Sequence, residues 1–208
     1  MTSAEEEMRE LARLGKVSYA DWAGYAWKNE LNMRRKHVLN YFAELLGDVE
    51  TDHNPHHQLE CAFGVAAFCM RRLIECRLLT DKFCCTKRTI YEIPTSDEGQ
   101  HSFRQSFLRS TGAHFFSNYT MSKRVRTELT PKKISDRFLH AQTLAALSGS
   151  EYIPDGILVA SDHQQSVSLF HITANEYSEL VDAFLGDFVR LEQDLIDPDT
   201  GRVSAIRE

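Results

Sequence analysis

Glycine and proline are scarce in this chain, ten and five in 208 residues, and no glycine-rich loop is present to cradle a phosphate. The patterns G-x-x-x-x-G-K-[ST], G-x-G-x-x-G, G-x-S-x-G and H-E-x-x-H do not occur, and no two cysteines stand three apart. Common nucleotide-binding, serine-hydrolase and zinc-peptidase readings therefore fall away. Long apolar runs are missing too. The longest, Ala62 to Met70, stops at Arg71 and Arg72, far short of the roughly 18 residues needed to span a bilayer. Glu5, Glu6 and Glu7 stand where a secretory leader carries basic residues and then an apolar stretch. These absences predict no membrane segment and a cytoplasmic location. Cysteine is sparse and odd in number: Cys61, Cys69, Cys76, Cys84 and Cys85. Without a leader, that reads as free thiols in a reducing compartment. Cys61, Cys69 and Cys76 lie in a helical pattern, the last two seven apart on one face, and all three read as small core hydrophobes.

What is present is ordinary globular material with uneven charge. No internal repeat or low-complexity linker divides the chain, so a single domain over 1–208 is expected, with a loose tail from about 198. The net charge of −6 is not evenly spread. Residues 1–55 carry 7 basic and 10 acidic side chains, residues 56–140 carry 14 and 8, and residues 141–208 carry 3 and 12. A basic middle between acidic ends implies either an anionic partner or pairing between the segments.

The periodicities predict an α+β fold, mostly helical. Ser3 and Glu6 form a capping box ahead of a short helix that stops at Gly15. A longer helix is expected from Ser18 to Leu46, with Ala20, Ala23, Trp27, Leu31, Val38, Phe42 and Leu45 on one stripe. Asn29 and Asn32 could bend it. Asn54-Pro55 is a strong helix start. The helix from there to about Leu79 is apolar on nearly every side, which predicts a central position. Thr86 to Ile93 and Arg124 to Leu129 read as strands, with a charged loop at Ser96 to Gln100 between them. Thr130-Pro131 opens a helix expected to run to about Leu147. Gly156–Ala160 and Ser166–Ile172 read as a hairpin within a small antiparallel sheet near 156–172. Thr173 and Glu176 form a second capping box, opening a last helix with Tyr177, Leu180, Phe184, Phe188, Leu191 and Leu195 on one side.

Three constellations could carry chemistry. His57 and Cys61, four apart, could share a metal with His53, but zinc needs a third or fourth fixed ligand. Solvated histidines at a helix start are the expectation, with no metal and no cofactor. On the central helix, Arg71 and Glu75 are spaced to pair, while Arg72 could line a polar pocket for an anion. The third constellation is the basic run Lys123, Arg124, Arg126, Lys132, Lys133 and Arg137. In it Lys133, Arg137 and His140 fall on one helical face, and Asp136 stands four before His140. A cationic face with one titratable histidine suits a phosphate. The competing reading pairs this strip with the acidic last helix. Arg109 and His114 match an Arg-x4–6-His spacing used by some helical ribonucleases. With this many arginines and histidines about two such matches arise by chance, so the pattern carries no weight.

The expected function is a binding or regulatory domain, engaging an anionic small molecule or a protein partner through Arg72, Lys133, Arg137 and His140, with weak nucleic-acid binding. The alternative is a metal-independent ribonuclease or related phosphoryl-transfer enzyme using His140, Asp136, Arg137 and His114.

Overall fold

The computed structural model describes residues 24–47, 50–97, 113–162, 164–190, 192–196 and 203–208. The expected helix at Ser3, the first turns from Ser18, most of the loop at Ser96 to Gln100, and Arg109 lie outside them. The fold is α+β. Helix α1 spans Gly24–Leu46 without interruption at Asn29 or Asn32, and buries Leu31, Val38 and Phe42. Helix α2 spans Pro55–Glu75. Its start is as expected, with the Asn54 side chain accepting the His57 N–H and proline in the first turn. Its end comes earlier than Leu79. Arg77 adopts a left-handed backbone conformation (φ 57°), and Thr80 caps a separate turn, α3, at Asp81–Cys85.

Helix α2 places Leu59, Ala62, Phe63, Ala66, Ala67, Cys69, Met70 and Leu73 in the core. It is not covered all round. Cys61, expected in the core, is exposed on the outer side of the helix, as are Val65 and Phe68, and the Phe68 ring lies 5.7 Å from that of Trp27, centre to centre. The Phe63 ring lies 4.6 Å from Phe138 and 5.7 Å from Tyr177. That aromatic cluster ties α2 to the two later helices that carry Phe138 and Tyr177.

Strands β1 (Arg88–Pro94), β2 (Val125–Leu129), β3 (Ala141–Leu147), β4 (Gly156–Ser161) and β5 (Ser168–Ile172) form one sheet in the order β2-β1-β5-β4-β3, every pairing antiparallel. Between β1 and β2 lies the single turn α4 (Ala113–Phe116). Strand register sorts the sheet's side chains into two sets. Ile90, Val159, Ile157, Phe170 and Ile172 join the core built by the helices. Ile93, Leu158, Ala160 and Leu169 face the other way, against Phe115, Tyr119 and Ile153. With both faces covered, β4 and β5 are buried at every position, and so they read as continuous apolar runs.

Two expectations fail at helix ends. The helix opened by Pro131 is α5, Pro131–Leu139, and it stops at His140. Residues 141–147 are strand β3, paired with β4. The last helix, α6, spans Ala174–Gly186 and does not reach Leu195. Residues Glu192–Ile196 form β6, which pairs with β7, Val203–Arg207. Within β7, Arg207 donates its backbone N–H to Asp81 at 2.8 Å and its guanidinium to the same carboxylate. The α6 end is closed by Lys28, whose buried ammonium donates to the Leu185 and Asp187 carbonyls and sits 3.5 Å from the centre of the Phe188 ring. A cation there opposes the negative end of the helix. Asp187 in turn accepts from the Thr80 N–H and hydroxyl at 2.7 and 2.8 Å. The Thr173–Glu176 capping box at the start of α6 is formed in full.

Candidate functional site

Strand β2 leads directly into α5, and Pro131 at the helix start fixes the direction of that turn. Ile134 and Phe138 bury one side of α5. The remaining side carries Lys133, Asp136, Arg137 and His140, and these four line one open pocket of about 290 Å³ with Leu129, Ser161 and Gln164. Ser161 and Gln164 come from the end of β4 and the turn beyond it. The Asp162 N–H donates to the His140 carbonyl at 3.1 Å, and the Asp162 carboxylate lies 3.7 Å from the His140 ring. Helix α5 and the end of β4 are thus held together at the pocket.

The charges here are mostly matched from within. Arg137 reaches under the pocket to Glu92 of β1, and the Ser168 hydroxyl donates to that same carboxylate oxygen at 3.1 Å. Asp136 is shared by Arg71 of α2 and Lys132. Arg71 also pairs with Glu75, at 2.6 Å, as its spacing predicts. Lys133 differs: it is exposed and makes no hydrogen bond or ion pair with another described residue.

The predicted residues do not all converge. Lys133, Asp136, Arg137 and His140 meet at the pocket. Arg72 does not line it; its guanidinium lies 5.6 Å from the centre of the Trp27 ring. His114 belongs to α4, a different part of the chain. The basic strip does not pair with the last helix as a unit. Among the described residues Arg124 alone does so, reaching Glu176 at 2.5 Å, while Arg126 pairs with Glu128 at 3.5 Å. His57 and Cys61 stand one turn apart, with Sγ 3.6 Å from Nε2, and His53 turns to Glu44 at 3.0 Å. No group of three potential metal ligands forms among the described residues.

A second polar centre escaped the sequence reading. His171 on β5 is fully buried, and its Nδ1 accepts from Arg124 Nε at 2.8 Å, which places the ring proton on Nε2. The Arg124 guanidinium lies 3.6 Å from the centre of the Tyr91 ring and binds Glu176. Burial, and secondarily the Arg124 charge, push the His171 pKa down to about 4; Glu176 and the Pro154 carbonyl oppose the shift. Glu176 itself is held below the usual carboxylate range. Burial works against this, but the hydrogen bonds from Arg124 and Thr173 outweigh it. The only sequence signal was alternation: His171 occupies an inward position of an apolar strand.

No protein-family model, curated protein or solved structure matches the chain. Fold and site together describe an α+β domain with an open, partly cationic pocket at the corner between α5 and β4. No helix among the described residues is long and apolar enough to cross a membrane.

Proposed function

We propose that the chain is a binding or regulatory domain whose α5–β4 pocket holds an anionic group, carried by a small molecule or a protein partner. The observation that supports this reading is Lys133, an exposed ammonium that makes no ion pair with another described residue and lines a pocket with Arg137 and His140. Arg137 spends part of its five-donor fork on Glu92 and keeps donors for a ligand. Ser161 and Gln164 add groups that can orient an oxyanion. The thiols are free, which fits a reducing compartment such as the cytoplasm. A phosphoryl-transfer reading would use His140 as general base. Among the described residues, however, the pocket lining holds a single imidazole, and its Asp136 is already committed to Arg71 and Lys132. Binding is therefore the preferred function.

The test is calorimetric titration with inorganic pyrophosphate at low salt. Wild type should bind saturably, and Lys133→Glu should lose about tenfold or more in affinity, the value of one charge-assisted contact. Equal affinity in the two proteins would refute the assignment.

A further inference from the structure

A second cavity lies where β1 begins and α6 starts, and it shares no lining residue with the α5–β4 pocket. It measures about 370 Å³ and is lined by Arg88, Thr89, Tyr91, Glu176, Glu179 and Leu180. A narrow extension of about 20 Å³ has Thr89, Tyr91, Glu176 and Leu180 in its walls and reaches inward to Phe170, His171 and Ile172. One of its three charges is settled: Glu176 is bound by Arg124 and by the Thr173 N–H, at 2.5 and 2.9 Å. The other two are not. Arg88 has its Nε buried without a hydrogen-bond partner, its guanidinium resting 4.9 Å from the centre of the Phe83 ring. Glu179 is exposed and makes no hydrogen bond or ion pair with another described residue. A guanidinium and a carboxylate thus line one cavity without pairing.

A guanidinium that lines a cavity without a hydrogen bond or ion pair to another described residue keeps donors for a ligand. Arginine presents a planar fork that matches a carboxylate. Glutamate accepts from an ammonium. The volume falls within the range of small-molecule sites. We propose that this cavity binds a free α-amino acid, its carboxylate on Arg88 and its ammonium on Glu179, with Tyr91 and Leu180 beside the side chain. A ligand carrying one charge satisfies one wall and leaves the other unmatched. The zwitterion is the chemical class that completes both.

The experiment is calorimetric titration of the full chain with each proteinogenic L-amino acid, with acetate and methylammonium as single-charge controls. At least one amino acid should bind saturably, with neither control binding at the same concentration. Glu179→Gln, an exposed change that leaves the core intact, should weaken that binding by about tenfold or more. Arg88→Met should do the same, and Lys133→Glu should leave it unaltered. The proposal is overturned if no amino acid binds saturably, if acetate or methylammonium binds as well as the amino acid, or if Glu179→Gln leaves the affinity unchanged. Because the pyrophosphate titration reads Lys133, failure at either cavity says nothing about the other.

Discussion

At residue scale, Gly156 and His171 illustrate how one position dictates another. A Cβ added at Gly156 would lie 2.9 Å from the Ile172 carbonyl oxygen and closer still to His171 Nε2. The glycine is there because the histidine ring occupies the space a side chain would need. Gly156→Ala should therefore destabilise by about 1–3 kcal/mol, the usual penalty for overpacking, read as a fall in the denaturant midpoint. His171 makes a second prediction through pH. Its folded pKa, about 4, lies below the value of about 6.5 for an unperturbed imidazole. Above pH 6.5 both folded and unfolded imidazoles are neutral, and the protein has its full stability from this group. As pH falls from 6.5 towards 4, the unfolded chain takes up a proton that the folded chain refuses, so stability is lost. Chemical denaturation at pH 7 and pH 5 should show a larger loss in wild type than in His171→Gln. Equal losses would show that His171 is not held neutral.

At element scale, α2 supplies the most direct test of the core. Leu73 is fully buried, and Leu73→Ala should cost about 2–5 kcal/mol, measured by thermal or urea unfolding. A melt within a degree or two of wild type would contradict its placement. Element starts were legible in the sequence because their signals are local. Asn54-Pro55, Thr130-Pro131 and Thr173 with Glu176 each act within one turn, and each marks a helix start. Element ends were less legible because their causes are distant. Ala141 to Leu147 contains good helix formers, yet pairing with β4 makes it a strand, a case of tertiary context outweighing propensity. Leu191 and Leu195 continue the spacing of α6, but Lys28 and Thr80, more than a hundred residues away, close that helix near Asp187. Four residues of the α5–β4 pocket were legible because one helical face carries them. Ser161 and Gln164 were not, since only the sheet brings them to that face.

At the scale of the whole molecule, several cations of the basic middle segment meet acids of the same segment: Arg137 pairs with Glu92, and Arg71 and Lys132 share Asp136. Links to the acidic end are single contacts, Arg124 with Glu176 and Arg207 with Asp81. At the α5–β4 pocket the cation left without an ion-pair partner among the described residues is Lys133, a local excess that suits a compact anionic group. Broad nucleic-acid binding draws on many phosphate contacts at once, more than the one unpaired lysine of this pocket supplies. The central claim is the location of that excess. The measurement that tests it most directly is an amide chemical-shift map of the folded protein titrated with inorganic pyrophosphate. The account predicts saturable shifts concentrated at Lys133 to His140 and at Ser161 and Gln164. Shifts centred elsewhere, or none at saturating ligand, would contradict it.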